Sequence, residues 1–309
     1  MTPQPFTDPN ICADGSPRAI VPFEKMKMLW INTGTLCNIT CANCYIESSP
    51  RNDRLLYITA DEVTECLRQL HKKDDAPKAI GITGGEPFMN KDIFRIILTC
   101  LDHTQDILLL TNAMRPLLRP HIQLELLNHA HKIRNHVIFR VSLDDSQPEC
   151  HDAERGTGAF ALACEGIDWL LQHGFTVHIA GRLWGRAEQD VRASYSRLFH
   201  EKGWTINASK ADQLILFPEM TSDQSPPEIT TDCWRILNKS PSELMCATGR
   251  MLVRRKNQTK PSLVACTLLP YEDDFDLGTD MSNYQRDIAL NHPWCASFCV
   301  LGGGACSAT

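Results

Sequence analysis

The sequence predicts an α/β fold: a partial (β/α)6 barrel, TIM-like but open, followed by a small cysteine-rich C-terminal domain. Three observations carry this. Short apolar runs alternate with helical stretches of about 10 to 15 residues, the pattern of a parallel sheet with right-handed crossovers. Six such runs fall between residues 28 and 217, too few for a closed eight-stranded barrel. Beyond a polar stretch carrying Pro218, Pro226 and Pro227 the alternation lapses, and cysteines become frequent. A length of 309 residues fits one large domain with a satellite. We expect an N-terminal extension over 1–24, the barrel over 25–220 and the cysteine-rich domain over 221–309.

Met28 to Thr33 (MLWINT) opens the sheet as a short buried strand that runs into a polar loop. Thr59-Ala-Asp-Glu62 is a capping box with Val63, Leu67 and Leu70 at helical spacing behind it, so a helix is expected over about Asp61 to Lys72. Lys78 to Thr83 (KAIGIT) is the second strand. It ends in Gly84-Gly85-Glu86-Pro87, where the glycines relax the backbone and the proline stops the ladder. The alternation continues with helix Lys91–Leu101, strand Asp106–Thr111, helix Pro120–His131 and strand Val137–Leu143. Helix Gly158–His173, strand Phe175–Leu183, helix Glu188–Glu201 and strand Gln213–Phe217 complete it. Arg250–Arg255 and Ser262–Thr267 read as a short hairpin. The tail has too little apolar periodicity for a sizeable core, so a metal is expected to stand in for one.

Composition narrows the function. Hydrophobic residues at 43% and charged residues at 22% are ordinary globular usage, against a disordered, collagen-like or coiled-coil chain. Lys+Arg of 31 against Asp+Glu of 37 gives a net charge of −6, so no global basic field favours nucleic acid or anionic lipid. The Pro-rich leader lacks the basic-then-apolar pattern of a secretory signal, and no apolar run approaches the ~20 residues that cross a bilayer. The expectation is a cytoplasmic protein without a membrane partner. Reducing conditions there keep thiols free, so the clustering among 14 cysteines points to metal ligands or catalysis rather than disulfides. No P-loop and no G-x-S-x-G is present.

Cys37-Asn-Ile-Thr-Cys41-Ala-Asn-Cys44-Tyr45 places three thiols within eight residues. A 4Fe-4S cluster filled by protein would take four, so one iron would stay open to a small molecule. A structural zinc loop with a distant fourth ligand is the alternative. Cys246, Cys266, Cys295, Cys299 and Cys306 form a second set, suited to an iron-sulfur cluster or to zinc. Cys66, Cys100 and Cys164 lie among apolar helical residues and read as buried small hydrophobes; Cys12, Cys150 and Cys233 carry no assignment. His129 and His131, two apart on a helix, diverge and are not read as a metal pair. Arg254, Arg255, Lys256 and Lys260 read as a solvated turn.

The C-x3-C-x2-C loop resembles the signature of the radical S-adenosylmethionine (radical SAM) enzymes. Asn43 stands where that family usually has an aromatic residue near the SAM adenine, and Tyr45 is the nearest substitute. Gly84-Gly85-Glu86-Pro87 resembles the family's GGE motif, which implies a seat for the amino group of SAM. Ser142-Leu143-Asp144 resembles its S-x-D segment, which implies Ser142 on the ribose or carboxylate. The segment from His151 to Phe160 then implies Arg155 near the SAM carboxylate, a task suited to a planar guanidinium fork. Thr111-Asn112-Ala113 departs from the family's frequent T-N-G, and Asn112 joins the candidate cofactor residues. Arg182 is read as facing either the site or solvent.

Cys246, the hairpin, Cys266 and Phe275-Asp-Leu-Gly278 resemble the twitch or SPASM extensions of the same superfamily. Cys295-x3-Cys299-x6-Cys306 does not reproduce the full SPASM pattern, so the resemblance implies one auxiliary 4Fe-4S cluster rather than two. The implied chemistry is reductive cleavage of SAM to a 5'-deoxyadenosyl radical that takes hydrogen from a substrate. The implied substrate is a peptide or protein, with a small molecule or RNA as alternatives and the acidic net charge counting against RNA. An electron donor such as flavodoxin or ferredoxin is implied as a partner. A reading of another class, which Asn43 and Ala113 favour, is a non-catalytic iron-sulfur or zinc protein.

Overall fold

After a two-residue strand β1 (Ile20–Val21), the apolar runs pair in the order of the chain in the computed structural model, which describes residues 4–73, 75–218 and 225–304. β2 (Met28–Asn32), β3 (Ala79–Thr83), β4 (Ile107–Thr111), β5 (Val137–Ser142), β6 (Thr176–Arg182) and β7 (Leu214–Phe217) are successive parallel neighbours. This is the partial TIM-type barrel that the alternation predicted, and its loops gather at the C-terminal ends of the strands.

The covering helices are α1 (Ala60–Lys72), α2 (Ile93–Leu101), α3 (Pro120–Asn128), α4 (Ala130–Ile133), α5 (Pro148–Arg155), α6 (Ala159–Gln172) and α7 (Glu188–Lys202). Thr59 and Glu62 form the expected capping box on α1, which buries Val63, Leu67 and Leu70 against the sheet. Two features differ from expectation. The helix read as Pro120–His131 breaks at His129, whose ψ of 10° leaves helical geometry at a residue of low helix propensity. α5 was not anticipated: its charged sequence hides any apolar stripe, and its signal is Pro148 at the first helical position after extended Gln147.

The tail adds a short helix α8 (Cys233–Ile236) and strands β8 (Gly249–Val253), β9 (Ser262–Val264), β10 (Asp276–Gly278) and β11 (Ile288–Ala289). β8 and β9 make the expected hairpin, and β10 extends it. β8 also pairs in parallel with β2, giving one nine-stranded sheet in the order β10-β9-β8-β2-β3-β4-β5-β6-β7. β11 pairs with β1. The tail is therefore not short of core: Leu252, Leu263, Phe275, Leu277, Tyr284 and Phe298 pack in the same apolar cluster as Leu29, Ile82 and Phe139. Those residues are scattered over short elements, so no period of 2 or 3.6 exposes them in the sequence. Of the polar stretch Pro218–Asp232, residues 219–224 lie outside the described residues. No helix among the described residues is long and apolar enough to cross a membrane.

Candidate cofactor and metal site

A cavity of about 210 Å³ opens at the C-terminal ends of the barrel strands. Cys37, Cys41, Cys44 and Tyr45 from the loop after β2 line it, with Gly84 and Gly85 after β3, Asn112 after β4, Ser142 at the end of β5, and Arg155. The two glycines let the β3 turn press against the cysteine loop. A Cβ on Gly85 would lie 2.2 Å from the Leu36 carbonyl oxygen, and one on Gly84, at φ +143°, would lie 2.6 Å from Thr33 Oγ1. In their place the Gly85 amide donates to Gly34 O at 2.7 Å and the Glu86 amide to Leu36 O at 3.2 Å. The turn is thus a brace for the thiol loop.

Glu86 does not line the cavity. It is 1% exposed, and its carboxylate accepts from Thr111 Oγ1 (2.8 Å), the Asn112 amide (2.9 Å) and the Phe88 amide (3.3 Å). It ties the β3 turn to the end of β4. Burial pushes its carboxyl up to about 7 against the pull of those hydrogen bonds. Asn112, held this way, donates from Nδ2 to Asn38 Oδ1 at 3.0 Å, inside the thiol loop. Ala113 adopts φ +54°, so the residue in the glycine position keeps a left-handed backbone despite its Cβ.

Arg155 faces the cavity with its guanidinium clasped by Asp144: Nη2 donates to Oδ1 at 3.1 Å, and Nε bonds to Oδ2. Arg182, whose placement the sequence left open, lines the cavity and lies 3.3 Å from Asp144 and 3.4 Å from Glu154. Burial alone would raise the Asp144 carboxyl, but the charge and hydrogen bonds of Arg155, then Arg182, hold it below the usual carboxylate range. Glu154, which the sequence reading missed, accepts from the Asn43 amide and from Asn43 Nδ2, each at 2.8 Å. Asn43 thus has a structural partner: α5 grips the thiol loop between Cys41 and Cys44.

The thiols suit a metal centre by their chemistry. Cys37, Cys41 and Cys44 are free, and burial pushes Cys37 up to about 12 and Cys41 up to about 11, so both hold their protons until a metal displaces them. Among the described residues the side chains are not drawn into a closed coordination set. Three residues that line the same cavity, Trp30, Ser48 and Thr267, each carry a buried polar atom (Nε1, Oγ and Oγ1) with no hydrogen-bond partner among the described residues, as expected where a polar ligand would supply one. Cys66, Cys100 and Cys164 are buried in the apolar core of α1, α2 and α6.

The tail cysteines converge elsewhere. Cys246, Cys266, Cys295 and Cys299 line a second, smaller and mostly apolar cavity of about 30 Å³ with Leu268 and Phe275; Cys306 lies outside the described residues. Leu268 lines both cavities, and its neighbour Thr267 and Phe298, which lies between Cys295 and Cys299, form part of the wall of the larger one. The two cavities therefore share Leu268 as a common wall.

Residues 31–190 match the model of the radical SAM superfamily, about half of the chain. The chain belongs to that superfamily. Membership implies a SAM-binding 4Fe-4S cluster, and the loop of Cys37, Cys41 and Cys44 fits it. Among curated relatives, it is 33% identical over 145 residues to the antilisterial bacteriocin subtilosin biosynthesis protein AlbA of Bacillus subtilis, covering 47% of this chain and 30% of that one. It is 27% identical over 165 residues to the mycofactocin maturase MftC of Mycolicibacterium smegmatis, covering 52% and 39%. The chain spans less than half the length of these relatives. Streptococcus suis SuiB bound to S-adenosylmethionine shares the fold at a TM-score of 0.59 and 13% identity, over 84% of this chain and 64% of that one. The anSMEcpe structure with bound AdoMet does so at 0.55 and 15%, over 86% and 80%.

Proposed function

We propose that this chain is a radical SAM enzyme that modifies a peptide or protein, with one auxiliary 4Fe-4S cluster in its tail. The observation that carries the reading is a single cavity lined both by the three thiols and by the tail's Thr267, Leu268 and Phe298. When bound, the cluster and SAM supply a 5'-deoxyadenosyl radical that takes hydrogen from substrate. Cys37, Cys41 and Cys44 would hold the cluster through three irons. Gly84, Gly85, Asn112, Ser142, Arg155 and Tyr45 would line the SAM seat, with Glu86 fixing Asn112 from behind. Cys246, Cys266, Cys295, Cys299 and Cys306 are the candidates for the second cluster. The walls exclude solvent from a species that attacks nearly any C–H bond.

The relatives support a peptide substrate: one is named for bacteriocin biosynthesis, another is a maturase, and SuiB has been solved with the precursor peptide SuiA. The apolar wall of Ile46, Phe217, Leu268 and Phe298 suits an uncharged side chain. We read the chain as cytoplasmic, with a flavodoxin or ferredoxin as electron donor, and divide it at about residues 24 and 220. The test is anaerobic reconstitution of the wild type and of a Cys37→Ala, Cys41→Ala, Cys44→Ala variant, followed by dithionite and SAM. The wild type is expected to release 5'-deoxyadenosine, and the variant none while keeping about half of the iron. Release by the variant, or none by a fully loaded wild type, overturns the reading.

A further inference from the structure

Two fully enclosed arginines sit near the tail thiols, and their charges are met differently. The guanidinium of Arg18 is paired with Glu228 at 2.5 Å. Arg250, on β8, bonds only to backbone carbonyls among the described residues. Its Nε donates to Tyr284 O (2.7 Å), Nη1 to Cys246 O (2.6 Å) and Gly249 O (2.7 Å), and Nη2 to Arg286 O (2.9 Å). The ring of Phe23 covers it at 4.3 Å. No carboxylate forms an ion pair with Arg250 among the described residues, although the charges of Asp287 and of Cys246, if ionised, are within electrostatic reach. Burial lowers its pKa only to about 10, so the guanidinium is charged at neutral pH.

An enclosed cation with no counter-ion is costly, and carbonyl dipoles offset only part of that cost. One of its hydrogen bonds runs to Cys246, and Cys246 opens on the cavity shared with Cys266, Cys295 and Cys299. A four-thiolate 4Fe-4S cluster is an anion and gains a further negative charge on reduction. A fixed cation beside it favours the reduced form more than the oxidised form, because the attraction grows with the cluster's charge. Reduction then adds an electron and needs no proton, since the guanidinium is already charged.

We propose that Arg250 is the counter-ion of the tail cluster and raises its reduction potential, making that site the readier electron acceptor. This rests on the reading of the tail as a cluster site. Arg250 acts through space and touches no substrate, so it is a positioning residue for charge. The experiment uses the Cys37→Ala, Cys41→Ala, Cys44→Ala protein, reconstituted anaerobically so that only tail iron remains, and titrated with dithionite under electron paramagnetic resonance. Arg250→Lys keeps the charge; Arg250→Gln and Arg250→Met remove it.

The expected result is a midpoint shifted to lower potential in the neutral variants and close to wild type in Arg250→Lys. An iron-loaded neutral variant with an unshifted midpoint overturns the proposal, as does an equal shift in Arg250→Lys. If both neutral variants lose iron while Arg250→Lys keeps it, melting of the metal-free proteins decides: equal midpoints support a counter-ion, and lower midpoints in the neutral variants overturn it in favour of a scaffold role. Absence of iron from the parent protein would refute the cluster reading itself, a result distinct from an unshifted potential.

Discussion

Replacing Glu86 with Gln tests the account of the brace behind the site. The Glu86 carboxyl is enclosed and raised from 4.5 to about 7, first by burial and against three hydrogen bonds. The folded protein therefore binds the Glu86 proton more tightly than the unfolded chain. Its contribution to stability is fully present below pH 4.5 and is lost as pH rises through about 7. A shift of this size corresponds to about 3 kcal/mol in all, of which about 2.5 kcal/mol falls between pH 5 and pH 8. His151 and His292 oppose it, because burial lowers both to about 4 and their cost is relieved as pH rises from about 4 to 6.5. The wild-type profile alone is thus ambiguous, and the difference between wild type and Glu86→Gln isolates the carboxyl. Urea unfolding of the metal-free proteins at pH 5, 6, 7 and 8 should show the wild type losing about 2.5 kcal/mol relative to the variant across that range. Parallel profiles, with a difference that stays within about 0.5 kcal/mol, would refute a buried, proton-binding Glu86.

Ala113→Gly should stabilise the protein. Relief of a left-handed alanine is worth about 1–2 kcal/mol, and the entropy of glycine takes back about 0.5–1 kcal/mol. A rise of about 2 °C in the melting midpoint is expected, and a fall would mean that the turn after β4 is not left-handed. Glu154→Gln should loosen the thiol loop by setting an amide donor against Asn43 Nδ2 and removing the charge that faces Arg182. The expected cost is about 2 kcal/mol, read as roughly thirty-fold faster hydrogen exchange at residues 41–45. Unchanged exchange would show that the clasp does not hold the loop.

Much of the barrel was legible because its signals are local. The capping box at Thr59 and Glu62, the apolar run Ala79–Thr83 and the glycines behind it each act within a few residues, and each formed where the sequence put it. The thiol loop was legible for the same reason. What stayed hidden is long-range: Glu154 meets Asn43 across 111 positions, and nothing near either residue signals the other. The parallel pairing of β8 with β2 is hidden likewise, since a hairpin pattern does not say which edge it will join. The tail's core escaped notice because apolar residues on short turns have no period to read.

Asp144 shows what a residue-by-residue transfer of motifs leaves out. The resemblance assigns Arg155 to a carboxylate of SAM, the kind of ligand its fork would hold through two bonds. In the fold, Nε and Nη2 are already given to Asp144, whose own amide donates to His151 Nδ1 at 3.1 Å. A second carboxylate can still take the end-on fork of Nη1 and the outer Nη2 hydrogen with Asp144 in place, whereas drawing Arg155 off Asp144 would leave an enclosed anion beside Arg182 alone. Arg182 also reaches Glu154, and Glu154 reaches Asn43, so the same charges that present Arg155 to the cavity extend to the backbone between two of the three thiols. Cavity wall and thiol loop are one electrostatic unit, and a ligand that drew Arg155 away from Asp144 would act on the grip of α5 around Cys41 and Cys44.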